Sequence, residues 1–562
     1  MASKFSMKNE LDNEFSIVHN DNNDAITIDT ADLSKVITID SLKELKDKVG
    51  GNKHKPKTIW ISGYHKKEDG AFGSHIFEWD EYCTDSHNGG TIIDPNAIFP
   101  TDWNNSTQVN NWFNYSSTTT GRYKLKYNGA INIKWFGANI TNVDNSISIT
   151  KALFVGNIFC DLGTLKSSSF TVPSNRIVDS LDIDFSQGGT CLVDSNSYNI
   201  VFKNCKFSNS PDSDGLFIRN SEKITIDSCV FSSNKLTGLT TFNCNFVTII
   251  NSQSMSNKRH GFYSYGDVLI SECSEITYEN CVSHHNGEGY YSGFSVLYCE
   301  NTYLINCSSY SNAEHGFVIE GSNKVYLDLC RGNNNNISGI TLQENIANQI
   351  PTIKVTITNC EFIDNGTTGN TTRESGIIIL DRNENISIDK CLLLNNKNGK
   401  GINVIQSGSG SGILASKIYV TNNKLFDEIA ETYNSINLWE AKYTYTSGNI
   451  YRAPTYNLVN TDTTTSSGIL NVNGSTSGNH EVLLVSGTNT VTAVSLGSSI
   501  QGRKITVIAT DPNGFTIGHN ATTSGYAPFI LSGSTNAQLT QYSSITFYCD
   551  GSRWIEIARS IK

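Results

Sequence analysis

Apolar and polar residues alternate in short bursts through most of the chain, and between about residues 199 and 423 one phrase recurs about eight times. The phrase is an apolar-polar-apolar triplet, Asn-Cys, a polar turn, and a glycine followed by Leu, Phe or Ile. Four of the seven steps between repeat glycines are 23 residues long, and the others are 32, 37 and 25. Such a fixed period indicates a solenoid. The repeat glycines are Gly215, Gly238, Gly261, Gly293, Gly316, Gly339, Gly376 and Gly401.

The triplets predict half-buried strands, because alternation over so few residues places apolar side chains on one face. Each repeat therefore supplies about three short strands, and a single repeat cannot bury its apolar face alone. Stacking solves this, with parallel strands about 4.8 Å apart. We predict an all-β right-handed parallel β-helix, since helical repeats need longer periods and Ala/Leu patterns that are absent. The triplets occupy residues 224–226, 247–249, 276–278, 325–327, 355–357, 386–388 and 418–420.

Half of the 14 cysteines recur at one position, shortly after the triplet. An inward position suits a small apolar side chain, so we predict reduced thiols stacked in the core rather than disulfides. The chain contains no C-x-x-C zinc pattern and no dense Asp motif for calcium, and we predict no metal and no cofactor. The recurrent cysteines are Cys205, Cys229, Cys281, Cys307, Cys330, Cys360 and Cys391, and Ser252 replaces one.

Charge and hydropathy exclude some classes of partner and location. Only 17% of residues are charged and the net charge is −11, which argues against nucleic acid as the main partner. The N-terminus lacks an apolar signal core and no run of about 18 apolar residues occurs, so we predict synthesis in a cytoplasm and no membrane insertion.

Changes in composition and in the pattern of apolar and polar residues divide the chain into five segments. They are a polar, acidic N-terminal arm, a β-rich head with a short amphipathic helix at 41–48, the β-helix, a Thr/Ser-rich linker, and a final β-sandwich with strands between glycine turns. The predicted boundaries are 1–35, 36–130, 131–450, 451–468 and 469–562.

Five motifs, in this order, resemble the head of bacteriophage tailspike proteins, which are capsule or exopolysaccharide depolymerases with a pectate-lyase-like β-helix. They are Gly-Tyr-His at 63–65, Asp-Gly at 69–70, Phe-Glu-Trp-Asp at 77–80, Gly-Gly-Thr-Ile-Ile at 89–93 and Trp-Phe-Gly-Ala at 135–138. In the family an Asp-rich turn and an amphipathic helix follow, and residues 144–152 would supply the helix that caps the open β-helix end. The turn at 139–143 is poorer in Asp and Gly than in many relatives.

The resemblance implies a homotrimer in the phage tail. It implies attachment to other tail proteins through the N-terminus, synthesis in the host cytoplasm, and action on capsule or O-antigen polysaccharide at the host cell surface. Similar C-terminal modules mediate trimerisation or bind glycans. Whether the active site lies within one chain or between two is left open.

The candidate site lies just before the repeat glycines, where polar residues on adjacent coils form columns about 5 Å apart. Glycoside hydrolysis needs two carboxyl groups flanking the bond. We predict Glu288 and Glu314 as this pair and Glu320 as a third candidate, with Asp214, Glu344, Glu374 and Asp381 as alternatives. Insertions at 263–275, 284–292, 346–352, 364–374 and 406–415 would wall the groove. The predicted substrate-binding residues are Arg259, His260, Tyr263, Tyr265, Tyr291 and His315.

Other interpretations stay open. Lys258, Arg259, His260 and Tyr291 can supply the base and the cation of a polysaccharide lyase acting by β-elimination on a uronate. The protein can also be a receptor-binding adhesin that cleaves nothing. The same polar residues occur in ordinary solvated turns, and outward rings can pack against a loop or a sister subunit.

Overall fold

A computed structural model describes most of the chain. The described residues are 4–8, 14–19, 26–28, 36–51, 55–267, 273–289, 291–367, 374–396, 400–405, 414–426, 435–438, 441–452, 469–471, 482–485, 490–491, 493–495, 504–509, 513–520, 526–550 and 552–561. The chain divides into two compact units, one of residues 1–217 with 224–230 and one of 218–223 with 231–562. The predicted linker lies largely outside the described residues.

The first unit begins with two sheets. Three antiparallel strands, Lys4–Lys8, Glu14–His19 and Ile26–Ile28, occupy the segment predicted as an arm. The head sheet has the spatial order Val36–Ile39, Thr58–Ile61, Ile76–Asp80, Arg122–Leu125 and Ile92–Ile93.

Helices in the first unit are short. Helix Leu42–Val49 confirms the amphipathic helix predicted at 41–48, since Leu42, Leu45 and Val49 are buried. Helix Ser146–Val155 lies close to the predicted capping helix, and Ser106–Phe113 was not predicted. A short 3-10 helix covers Ile133–Phe136. No helix among the described residues has the length and apolar character needed to span a bilayer.

Parallel coils follow in the first unit. One sheet contains Ile131–Asn132, Ile158–Phe159, Arg176–Asp179 and Tyr198–Lys203. The others contain Leu165–Lys166, Asp182–Asp184 and Lys206–Ser208, and Phe170–Thr171 and Cys191–Val193. Strands Leu216–Arg219, Glu222–Asp227 and Val230–Ser232 each include residues of both units.

The second unit continues the same plan with three parallel sheets, which we name by their strands. Most strands of the glycine sheet start within one residue of a repeat glycine. The strands are Leu239–Phe242, Phe262–Tyr265, Phe294–Leu297, His315–Glu320, Ser338–Gln343, Ser375–Leu380, Lys400–Ile405 and Ser435–Asn437.

The long sheet contains Asn245–Ile250, Cys273–Glu279, Cys299–Ile305, Asn323–Asp328, Ile353–Thr358, Glu384–Asp389, Ala415–Thr421 and Ala441–Ser447. The short sheet contains Gln253–Met255, Val282–His284, Ser308–Tyr310, Arg331–Asn333, Glu361–Ile363, Leu392–Leu394, Lys424–Phe426 and Ile450–Arg452. Each strand pairs in parallel with its counterpart on the next coil, as the predicted β-helix requires.

The chain ends in a mixed seven-stranded sheet and an antiparallel pair, which are compatible with the predicted sandwich. The sheet contains Ile469–Asn471, Ala493–Ser495, Tyr526–Ile530, Trp554–Ser560, Ser544–Cys549, Lys504–Ala509 and Val482–Val485, and the pair is Phe515–Ile517 with Ala537–Leu539. Its core includes Phe529, Phe547 and Trp554.

The coil interior matches the prediction for the cysteines. All 14 are free thiols and all are buried. Phenylalanine rings also stack from coil to coil, as Phe294 does on Phe317 with centroids 5.1 Å apart. The inward positions therefore carry small thiols and large rings that repeat at the coil spacing.

A ladder of buried asparagines follows the short sheet in the second unit. Each side chain accepts the backbone N–H of the equivalent asparagine on the preceding coil, as Asn312 Oδ1 does from Asn286 at 3.0 Å. Its own amide donates to the next rung, Asn335 Oδ1, at 3.0 Å. We name the asparagine ladder by its members Asn234, Asn257, Asn286, Asn312, Asn335, Asn365 and Asn396.

Replacing Gly261 by alanine is expected to destabilise the second unit by roughly 1–3 kcal/mol, because the core there has no space for a methyl group. A Cβ on Gly261 would lie 2.0 Å from Ser283 Oγ and 2.7 Å from the Gly293 carbonyl oxygen. Thermal unfolding measures the effect. Gly163→Ala is the control, because nothing lies within 4 Å of the added carbon. An unchanged Tm for Gly261→Ala would contradict this packing.

Candidate functional site

The outer face of the glycine sheet carries a line of half-exposed side chains, one from each of five successive coils. We call this line the track; its members are Phe242, Tyr265, Leu297, Glu320 and Gln343. At about 4.8 Å per coil the track is about 19 Å long. The next position on the same line, Leu380, is buried, so the track ends at Gln343.

Aromatic rings form a continuous ridge beside the first coils of the track. The Tyr263 ring stacks on Tyr265 with centroids 4.5 Å apart, and Tyr265 stacks on Phe242 at 4.5 Å. The His260 ring contacts Tyr263 at 5.0 Å and Tyr291 at 5.1 Å. The geometry thus brings together most of the residues predicted to bind substrate.

Arg259 completes this group. Its Cζ lies 5.7 Å from the centroid of the Tyr291 ring, a cation–π arrangement. Arg259, Tyr291 and Glu314 each lie two residues before the repeat glycine of their own coil, and together they form the column that the sequence predicts.

Glu320 is the fourth of the five residues of the track, and it is the last residue of strand His315–Glu320. Gln343 Nε2 donates to its Oε2 at 2.5 Å, and the Asn345 side-chain amide donates to its Oε1. A short hairpin closed by a bridge between Asn345 and Ile350 holds Asn345 beside it.

Two tyrosines face this carboxylate. Tyr298 accepts a hydrogen bond from Asn348 Nδ2 at 2.7 Å. Burial raises the pKa of Tyr298 and raises the pKa of Tyr263 further, and the nearby Glu320 charge acts in the same direction on both. Both phenols therefore stay protonated at neutral pH and can donate to a ligand.

Glu344 and Asp381 lie directly after the paired residues Gln343 and Leu380, so their Cα atoms are about 5 Å apart on neighbouring coils. Both side chains are buried. Arg382 Nε lies 3.7 Å from Glu344 Oε1, and Arg382 also donates to the Gln349 carbonyl. Three acidic residues, counting Glu320, therefore lie on three consecutive coils near one edge of the glycine sheet.

The predicted catalytic residues are not all brought together. Glu314 and Glu320 stand at opposite ends of one strand, about 20 Å apart at 3.3 Å per residue, so they cannot flank one bond. Glu288 lies in the longer turn at 284–292, is 68% exposed and pairs with Lys258 at 3.0 Å.

His315 is buried and its partners hold the ring. Its Nδ1 is 2.7 Å from the Ser338 hydroxyl and 3.0 Å from that of Thr341. Its Nε2 is 3.7 Å from Glu314 Oε1. This arrangement orients Glu314 and leaves little of His315 accessible to a ligand. Glu374 follows two coils later in the Glu314 column, with Ile337 between them.

His260 is held as a neutral donor. The Ser292 N–H donates to its Nδ1 at 3.2 Å, so the ring proton lies on Nε2. Burial, reinforced by the Arg259 charge, lowers the pKa of His260 from 6.5 to about 4.

We therefore expect the His260 imidazole to titrate with a midpoint near pH 4, measured by NMR of the ring protons. Because the folded-state pKa is below the unfolded value, the neutral ring contributes its full stability above pH 6.5 and loses it as pH falls toward 4. Ser292→Pro, which removes the N–H donor, should shift this midpoint. A midpoint near 6.5 in the intact protein would contradict the burial of the ring.

Sequence reasoning missed Tyr298, Gln343, Asn345, Asn348 and Arg382. The insertion at 346–352 was the feature of the sequence that could have indicated them, because a loop that follows a strand of the glycine sheet can place its side chains beside that strand. Among the described residues, no group of three or more His, Cys, Asp or Glu side chains is arranged to hold a metal ion.

Comparison with solved structures shows the same architecture elsewhere. Tailspike protein 2 of the Escherichia coli O157:H7 bacteriophage CAB120 superposes with a TM-score of 0.53 at 11% identity, covering 99% of this chain and 80% of that one. The gp42 tailspike of Acinetobacter phage vb_AbaP_AS12 gives 0.48 at 12% identity, with 93% and 94% covered. The GH87 α-1,3-glucanase of Streptomyces thermodiastaticus gives 0.46 at 11% identity, with 59% and 73% covered.

At 11% identity, the likeness to the CAB120 tailspike shows the fold alone. No curated protein sequence matches the chain significantly. The family described as "Right handed beta helix region" matches at 136–267, 165–296 and 264–425. These matches together span just over half of the chain, and the parallel three-sheet coils agree with them. The chain belongs to the right-handed β-helix family.

Proposed function

We propose that this protein is a phage tailspike that binds a bacterial surface polysaccharide and cleaves it within the chain by glycosidic hydrolysis. The observation that carries the proposal is the track: a line of stacked rings that leads, coil by coil, to a carboxylate held by amide donors. A linear glycan can lie along a line of side chains of this length, and aromatic faces with convergent polar groups are typical of carbohydrate sites. The tailspike motifs of the head and the similarity to the CAB120 tailspike support the same proposal.

Glu320 is the carboxylate that acts at the reacting sugar in this proposal. Glu344 on the adjoining coil is buried with Arg382 Nε 3.7 Å from its Oε1, so it is not the second reacting carboxyl group. Hydrolysis requires one carboxyl group to donate a proton and the other to act as base or nucleophile. Glu320 is preferred to Glu288 and Glu314, because Glu288 is exposed and ion-paired and Glu314 stands beside His315 at the far end of the strand.

Tyr263, Tyr265 and Phe242 would stack on sugar faces next to the cleavage point. His260 would donate from Nε2 to a sugar hydroxyl, and Arg259 with Tyr291 would extend the binding surface.

Hydrolysis is favoured over β-elimination by the state of the available bases. A lyase needs a group that removes a proton next to a uronate carboxylate. Burial raises the pKa of Tyr263, which opposes a phenolate base, and His260 Nδ1 is already occupied by the Ser292 N–H. Lys258 is engaged with Glu288.

Product analysis tests the reaction. The protein is incubated with purified capsular polysaccharide from a sensitive host, and reducing ends and unsaturated uronates are measured separately. New reducing ends without ultraviolet absorbance are expected. Absorbance would assign a lyase, and neither signal, with binding retained, would assign an adhesin.

Assembly belongs to the same proposal. A homotrimer located in the virion tail and joined to other tail proteins through its N-terminus would place three tracks at the host cell surface. Light scattering should then give three times the chain mass of 61.7 kDa. A monomeric mass for the active protein would remove trimerisation from the proposal and leave the cleavage site in place.

A further inference from the structure

The outer face of the long sheet carries a second line of side chains, and every member of it has a hydroxyl group. Four members are tyrosines, which come in two pairs on adjacent coils. The strand registers place the line in the order Thr248, Thr277, Tyr303, Tyr326, Thr356, Ser387, Tyr419 and Tyr445.

Between the two pairs lies a gap that we call the tyrosine slot, formed by Tyr326, Thr356, Ser387 and Tyr419. Tyr303 stacks behind Tyr326, with centroids 5.3 Å apart and planes 7° from parallel, so it fixes the Tyr326 ring. Thr356 and Ser387 are short and half-exposed, so they form a floor rather than a wall. Tyr326 and Tyr419 are three coil steps apart, about 14 Å.

The walls of the slot are open to a ligand. Tyr326 is 42% exposed, Tyr419 is 43% exposed, and Tyr445 behind Tyr419 is 49% exposed. An aromatic face on each side and hydroxyls at the base offer apolar contact and hydrogen bonds together. A pyranose ring presents this combination of C–H faces and equatorial hydroxyls, and mostly apolar sites with a few polar groups bind such ligands.

Most charges around the slot are paired within the protein, and Lys354, on the strand that carries Thr356, is an exposed exception. Lys324 Nζ binds Glu300 at 2.7 Å, and Lys417 binds Glu384 on the side of Tyr419. Asp389 accepts from Thr421 Oγ1 at 2.6 Å and from Asn422 Nδ2 at 2.8 Å. Because the ion pairs balance one another, the ring faces and hydroxyl groups supply most of the binding surface, which suits an uncharged ligand.

A second copy of the chain fits this face less well. A standard protein interface buries about 800 Å² on each partner and is depleted of charged residues at its centre. Here a strip one residue wide is bordered by ion pairs on the strands that carry it, Lys324 with Glu300 and Lys417 with Glu384.

We propose that the tyrosine slot is a non-catalytic binding site for a neutral segment of a polysaccharide. It belongs to a different sheet from the track and does not depend on the proposed cleavage. Its role would be to retain the glycan on the protein surface.

Affinity electrophoresis tests the site, with dextran, galactomannan and a soluble β-glucan as neutral probes and alginate as the acidic one. The Glu320→Gln variant is used throughout, so that cleavage cannot remove the probe. Retardation is expected in at least one neutral gel. Tyr326→Ala and Tyr419→Ala should each weaken it by between about threefold and tenfold.

Two controls separate binding from folding. Tyr326→Phe keeps the ring and should retain most of the affinity, and Tyr198→Ala removes an equally exposed tyrosine, 43%, outside the slot. Ser387→Tyr should fill the slot and abolish retardation without loss of Tm. The proposal is overturned by retardation only in alginate, by no retardation in any neutral gel, or by equal affinity in the alanine variants. A concentration-dependent dimer that is lost in Tyr326→Ala would also overturn it, because the face would then be a protein interface.

Discussion

Glu320→Gln should lower the rate of polysaccharide cleavage at least about 100-fold, because glutamine keeps the shape of the side chain but can neither accept a proton nor form a covalent intermediate. Gln343 and Asn345 would still surround the side chain, so binding of the polysaccharide should persist. The initial rate of reducing-end release, measured with purified capsule, gives the effect. A decrease in kcat with little change in KM is the expected division.

Two matched substitutions locate the reaction centre. Glu288→Gln should stay within about twofold of the unchanged protein, because an exposed ion pair contributes little. Glu314→Gln tests the other end of the strand. If it abolished cleavage while Glu320→Gln remained active, the centre would move to the column of Arg259, Tyr291 and Glu314.

Asn312→Ala is expected to lower the free energy of unfolding of the second unit by roughly 2–4 kcal/mol, since a buried backbone donor loses its acceptor. Asn312 accepts from the Asn286 N–H at 3.0 Å and donates to Ser309 Oγ at 3.0 Å. Alanine removes these bonds and the one to Asn335 Oδ1, and so interrupts the asparagine ladder at its middle. Chemical denaturation followed by circular dichroism measures the loss.

Asn110→Ala is the matched control, because Asn110 is exposed on helix Ser106–Phe113 and alanine is a good helix former. Its effect should remain within about 0.5 kcal/mol. Equal stability of the two variants would mean that the ladder bonds are replaced by water and that stacking of the strands alone holds the coils.

The coils could be predicted from the sequence because every coil must meet the same packing requirements. A small side chain is needed where Cys307, Cys330 and Cys360 meet, and no Cβ fits at Gly261, so both residue types recur visibly. The same period correctly placed Tyr263 and Tyr265 on the outer face.

The site was less predictable because it depends on contacts that no period encodes. Asn345 reaches Glu320 across 25 residues and Asn348 reaches Tyr298 across 50, through the conformation of one hairpin. Helix Ser106–Phe113 escaped prediction for a related reason. Its sequence is polar and rich in asparagine, and it is fixed by the Asn105 cap and by burial of Trp112 and Phe113 in the head.

The asparagine ladder runs unbroken through coils whose rungs are 23, 29, 26, 23, 30 and 31 residues apart. Extra residues are accommodated outside it, so the scaffold tolerates loop exchange without a change of pitch. Insertions and deletions can therefore change the loops between strands while the spacing of the coils stays constant.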